Sequence, residues 1–219
     1  MRSTAHSLLL LAALALTGCG GLDNAPLTVG VVRGTLQEAV GGTAVVSVFG
    51  QPDVFLRPDS SGQFQLSEVP QGASELFAVA SATKAVRVPM VVYGGGVTDL
   101  GTVRPRPGGF VKLELHTGSY QRLGTSKINV VGTPFQRVAV SDTGVAVVGP
   151  LPEGCYELNT TAPGFGTIAP RVCVQEADDL ELDADLPRAD GTEGHEGCIV
   201  TGCQDPYVCD TFDGHCELH

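Results

Sequence analysis

The chain has 219 residues with 13 Lys+Arg against 24 Asp+Glu, a net charge of −11, and no Trp. Such an acidic balance repels phosphate backbones, and few aromatics are present to stack on bases or sugars, which argues against a nucleic-acid partner. The 29 Gly and 14 Pro recur along the chain and predict an all-β protein of short strands and frequent turns.

Residues 1–18 carry Arg2, an apolar run from Leu8 to Leu16, then the small residues Thr17 and Gly18. This order of charge, short apolar stretch and small residues reads as a secretory signal, and the run is too short to span a bilayer as a mature helix. Leu16-Thr17-Gly18-Cys19 closely resembles the bacterial lipobox. The resemblance implies cleavage before Cys19, lipidation of that cysteine, and the membrane as a partner through the N-terminal lipid. Gly20, where Asp is absent, resembles the outer-membrane class. The other reading is a secreted protein with a chance cysteine near its cleavage site. Residues 19–28 are rich in turn formers and read as a tether.

The main body is a repeat. Shifting the sequence by 82 positions lays Gly42 to Ala80 over Gly124 to Ala162 without a gap, aligning Gly50 with Gly132, Gly62 with Gly144, Pro70 with Pro152 and Gly72 with Gly154. Chance would give only about three matches over such a window. The period exceeds the roughly 20 to 50 residues of solenoid units, so each copy is expected to be a small domain, 29–105 and 108–187. Strand signals run through VGVVRGTL, TAVVSVF, VFLRP, QFQL, ELFAVA, VRVPMVVY and LGTVRP. Alternation assigns the faces: Val46 and Val48 point one way, Val45 and Ser47 the other, as do Ile128 and Val130 against Lys127 and Asn129. Asp59-Ser60-Ser61-Gly62 and Asp142-Thr143-Gly144 supply the side-chain acceptor and permissive dihedral of tight turns.

Read from Gly34, the pattern G-x-L, G-T-A-x-V-x-V, D-x-x-G-x-F-x-L, V-P-x-G and E-L resembles the carboxypeptidase-regulatory-like, prealbumin-like β-sandwich. In the second copy the likeness lies in Gly109-x-Val111, Asp142-x-Gly144, Leu151-Pro152-x-Gly154-x-Tyr156-x-Leu158 and Ala162-Pro163-Gly164-Phe165. On this alignment its first connection, Gly109 to Gly124, is longer than Gly34 to Gly42. The resemblance implies two tandem seven-stranded sandwiches and no chemistry, since the family's domains are accessory modules.

After the second copy, LELDADL sets Glu181, Asp183 and Asp185 on one face of a last strand. A calcium site is conceivable there, but a solvated strand face is the better account. A linker at 188–197 without apolar anchors leads to a tail at 198–219, in which Cys198, Cys203, Cys209 and Cys216 fall in a stretch too short for a hydrophobic core. It resembles the short cysteine-rich repeats of extracellular bacterial proteins. Disulfides are expected, since CxxC pairs for zinc are absent. Seven cysteines is an odd number. Lipidation of Cys19 removes one and the tail takes four, leaving Cys155 and Cys173. These flank PGFG symmetrically about Gly164, so an antiparallel hairpin turning there would set them opposite each other on the outer face.

No catalytic constellation is legible: HExxH, G-x-S-x-G and a phosphate loop are all absent. His116 is expected in the longer loop of the second copy, and His195, His215 and His219 fall in the linker and tail, where solvated histidines are the usual case. No cofactor or metal is expected. The chain therefore reads as a non-catalytic, lipid-anchored structural or binding module with a possible protein or glycan ligand. A carbohydrate-binding surface lipoprotein and an accessory subunit of a secreted hydrolase are the alternatives, and loops such as His116 to Leu123 are the expected binding elements.

Overall fold

The computed structural model describes residues 28–117 and 123–187, together with two short strands at 207–209 and 216–218. The signal, Cys19, the tether, the linker, Cys198 and Cys203 lie outside the described residues. The first copy folds into β1 (Val29–Leu36), β2 (Val45–Val48), β3 (Gln51–Leu56), β4 (Gln63–Pro70), β5 (Gly72–Val79), β6 (Lys84–Val92) and β7 (Val97–Val103). A two-residue strand, β8 (Arg106–Pro107), leads out of it. The second copy supplies β9 (Gly109–His116), β10 (Lys127–Val130), β11 (Val138–Ala139), β12 (Val145–Leu151), β13 (Gly154–Thr161), β14 (Arg171–Val174) and β15 (Asp179–Asp185).

Each set of seven strands makes one sandwich, and the two share a topology. In the first, a β4-β1-β7 sheet faces a β3-β2-β5-β6 sheet that β8 extends; in the second, β12-β9-β15 faces β11-β10-β13-β14. The opening strand of each copy pairs antiparallel with the fourth and parallel with the seventh. Alternation built the cores as expected. Val46, Val48, Leu66, Leu76 and Ala78 are buried in the first, and Ile128, Val130, Leu113 and Leu158 in the second. The matched glycines sit where no side chain fits: a Cβ on Gly62 would come within 2.2 Å of the Leu36 carbonyl oxygen, and one on Gly144 within 2.4 Å of that of Leu115.

Three details of the sequence reading are corrected. Leu36 and Leu115 receive the same cross-strand contacts from Gly62 and Gly144, so Gly30, not Gly34, is the counterpart of Gly109. With that offset the second copy's first connection is only three residues longer, since 82 − (115 − 36) = 3. In the turn before β12 the acceptor is Ser141, not Asp142: its hydroxyl takes the Val145 N–H at 2.9 Å, as the Asp59 carboxylate takes the Gln63 N–H at 2.9 Å. Hydrogen bonds from Ser61 and Gln63 hold the Asp59 carboxyl below the usual range. Finally, His116 closes β9 rather than lying in a loop, and Leu123 is buried in the core. A loop exchange spanning both would therefore cut into the sandwich.

Cys155 stands opposite Cys173 in the β13–β14 ladder, and the two are bonded across a separation of 18 residues. At the corresponding register of the first copy, Ala73 stands opposite Val91, so that hairpin holds without a staple. In the tail, β16 (Tyr207–Cys209) pairs with β17 (Cys216–Leu218) and sets Cys209 opposite Cys216. Non-reducing peptide mapping should therefore recover Cys155 with Cys173 and Cys209 with Cys216. Replacing Cys155 and Cys173 together by Ala should lower the unfolding free energy by about 3 kcal/mol, the loop-entropy value for a ring of this size. An unchanged denaturant midpoint would remove the bridge from the stability of the fold.

Candidate functional site: the junction between the sandwiches

Residues of β2, β5 and β6 that point away from the first core are expected to meet water, yet several do not. Ser47 and Phe77 are 0% exposed, Val79 3% and Ala85 2%. They are covered by the second sandwich, and Phe77, Val79 and Ala85 belong to the same apolar cluster as Tyr156, Leu151 and Val174. The two sandwiches thus share one continuous core on that side.

Four aromatic rings and one cation organise the contact. Phe77 stacks on Phe49 at 6.4 Å between centroids and receives the edges of Phe135 at 6.2 Å and Tyr156 at 6.4 Å. Phe49 and Tyr156 meet edge to face at 6.2 Å. Such pairs contribute about 0.5–1.5 kcal/mol each beyond the area they bury. Arg87 lies over them, its Cζ 3.8 Å from the centroid of Phe49 and 5.7 Å from that of Tyr156, and it is ion-paired with Glu75. A guanidinium can stack on a ring and meet a carboxylate at once because it is planar and weakly hydrated, which an ammonium cannot match. Backbone contacts complete the join. The Gly50 N–H donates to the Gly132 carbonyl at 2.8 Å, so equivalent turn residues of the two copies touch. Gly154, at φ +150°, lies where a Cβ would come within 2.7 Å of Arg87 Nη1. Tyr156 Oη donates to the Pro152 carbonyl at 2.7 Å, and desolvation pushes its pKa up to about 12 despite the neighbouring Arg87.

Beside the join runs a cleft of about 550 Å³, bordered by Arg87, Arg104 and Arg106 of the first copy and Pro152, Glu153 and Glu176 of the second. Arg106 reaches across to Glu176 at 3.5 Å. The lining holds no Ser, Cys or His. Its border brings together three guanidinium groups and two carboxylates.

Of the residues singled out in the sequence, the structure brings together Cys155 and Cys173, on the outer face next to Gly154. Cys209 and Cys216 face each other in backbone register; Cys19, Cys198 and Cys203 lie outside the described residues. Phe49, Phe77, Arg87 and Tyr156 were not read as a unit, although a signal existed. At matched register the outward residues Val45, Ser47, Phe77 and Val79 of the first copy are Lys127, Asn129, Asn159 and Thr161 in the second. A face that is apolar in one copy and polar in the other is buried in one and only partly covered in the other.

Two measurements check the junction. Wild type should unfold in one calorimetric transition, whereas Phe77→Ala should lose about 3–5 kcal/mol and separate the two sandwiches into distinct transitions. A single unshifted transition in the variant would refute the shared core. Tyr156 keeps its proton in the folded state at a pH where the unfolded chain loses it. Its contribution to stability is therefore complete below pH 10 and lost as pH rises through about 12. A near-ultraviolet titration should show a late phenolate that is missing in Tyr156→Phe, and ionisation of Tyr156 near pH 10 would contradict the burial.

No known family matches the sequence, and no curated protein does. Among solved structures, the minor pilin GBS52 of Streptococcus agalactiae is 9% identical with a TM-score of 0.33, over 73% of this chain and 96% of that one. The Bacillus anthracis TIE protein is 15% identical with a TM-score of 0.32, over 74% of this chain; the match spans about a third of that protein, 34%. A streptococcal ancillary pilin is 15% identical with a TM-score of 0.29, over 74% of this chain and 62% of that one. These are similarities of strand-rich build at low identity.

Proposed function

We propose that this chain is a lipid-anchored, extracytoplasmic structural or binding module without catalytic activity, in which an acylated Cys19 holds a stiff pair of sandwiches at the membrane surface. The observation that carries the compartment is the Cys155–Cys173 bond, since disulfides persist where the surroundings are oxidising. The lipobox-like tetrapeptide ending at Cys19 supports the anchor. The shared core supports a structural role, because an interface of buried aromatics resists the relative motion that small polar interdomain contacts allow. Among the described residues no helix is long and apolar enough to cross a membrane.

The outer membrane is the membrane that Gly20 favours, and a protein ligand is preferred over a glycan. Exposed aromatics gathered on one face would favour sugar, but Phe55 lies on β3 and Tyr93 just beyond β6, at opposite sides of their sheet. Phe49, Phe77, Phe135 and Tyr156 are spent on the junction. Nucleic acid remains an unsuitable partner for a chain of charge −11.

Acyl chains add about 0.8 kcal/mol per buried CH₂, so two or more hold a protein on a membrane stably. A metabolic fatty-acid label should appear on wild type and vanish from Cys19→Ala, which should also leave the membrane fraction. Equal label on both would sink the anchor. A pull-down from detergent-solubilised membranes that returns a hydrolase in fixed ratio would instead make the chain an accessory subunit.

A further inference from the structure

The outer face of the β9–β15 pair carries a group of side chains that the module reading leaves unused. Glu114 and His116 are two apart in β9 and so share a face, and β15 runs parallel with Asp183 opposite Glu114 and Asp185 opposite His116. His116 Nε2 lies 3.0 Å from Asp183 Oδ1, and single ligand atoms of Glu114, His116 and Asp183 all fall within 4.8 Å of one another. Two ligands bound about 2.1 Å from one ion stand about 3 to 3.4 Å apart, so the imidazole and carboxylate are already spaced as neighbours in a coordination sphere.

The repeat separates what is architecture from what is added. One step earlier on the same face, Lys112 pairs with Glu181 at 3.3 Å, and its counterpart in the first copy is Arg33 with Asp99 at 2.9 Å. That cation-to-acid link between first and last strands belongs to both sandwiches. The three ligands do not. With Leu36 matched to Leu115, Glu114 and His116 correspond to Thr35 and Gln37, and the residue opposite Thr35 is Thr102. The second copy alone therefore sets two carboxylates directly across from each other, an arrangement that destabilises a sheet unless a positive charge joins them. Lys112 Nζ, 2.6 Å from Glu114, answers one of them, and the other, Asp183, meets only the His116 imidazole among the ion pairs of this face.

We propose that Glu114, His116 and Asp183 form a binding site for a divalent transition cation of the zinc class, which clips the first strand of the second sandwich to its last. An imidazole nitrogen with two carboxylates suits zinc, copper or nickel, whereas calcium and magnesium take oxygen ligands. Three protein ligands on an exposed face leave a coordination position open to solvent. Lys112 competes for Glu114 and weakens the site. The inference is independent of the lipid anchor.

Isothermal titration of zinc chloride into the oxidised full-length chain tests it. One saturable site is expected. Removing even a supporting residue of a metal site costs about 10–100-fold, so His116→Gln, Glu114→Gln and Asp183→Asn should each weaken binding by about tenfold or more. Lys112→Met should tighten it, and His215→Gln in the tail should leave it unchanged. Zinc should raise the melting temperature of wild type but not of His116→Gln, whose melting in EDTA should match wild type because the side chain is exposed. Absence of saturable binding, full affinity in His116→Gln, loss of binding in His215→Gln, or an equal response to calcium would each overturn the assignment.

Discussion

The burial of Phe77 on the wrong side of its own sheet is the constraint from which the rest of the structure follows. A side chain that alternation points away from the first core is 0% exposed only because a second body lies on it. Once that ring is covered, Phe49, Phe135 and Tyr156 gather round it, and Arg87 can sit over them with Glu75 as its counter-ion. A partly desolvated guanidinium is tolerable there because one face meets aromatic rings and its N–H groups meet a carboxylate. Gly154 shares the positive φ of Gly72 at the matched hairpin position, and its missing side chain leaves room for the Arg87 guanidinium at the join.

Two copies of one fold have therefore diverged along their outer faces while keeping their frames. The frame consists of the same strand order, the same parallel pairing of first and last strands, and the same positive-φ glycines at Gly50 and Gly132, and at Gly62 and Gly144. Each copy then solves a local problem in its own way. The first relies on the weight of its neighbour against Phe77, Val79 and Ala85, and needs no bridge between Ala73 and Val91. The second has the shorter last hairpin strand, β14 of four residues against nine in β6, and a disulfide holds it.

This division of labour bears on how rigidly the two sandwiches are held together. A pair of domains joined by a flexible linker would sample many orientations, whereas a shared apolar core and a backbone hydrogen bond from Gly50 to Gly132 fix one. Outside the join the pair presents the cleft, with its arginines in an otherwise acidic chain.

The sequence by itself determined the repeat, the inward faces and the hairpin register. Those rest on local rules: a period of two along each strand, turns that demand glycine, and a symmetric spacing of Cys155 and Cys173 about Gly164, which the β13–β14 ladder reproduces. Where the local pattern is thin, register is not legible. Gly34 was matched to Gly109 although Gly30 is the true counterpart, because a lone G-x-L carries less register information than a strand pairing. Only the tertiary structure decided that the two sandwiches share a core and that Glu114, His116 and Asp183 converge. Alternation says which way a side chain points but is silent on what lies there, and the parallel β9–β15 pair joins residues nearly 70 positions apart in the chain, |i−j| = 67 for His116 and Asp183. Contacts of that range are set by the folded topology, and no period within a strand encodes them.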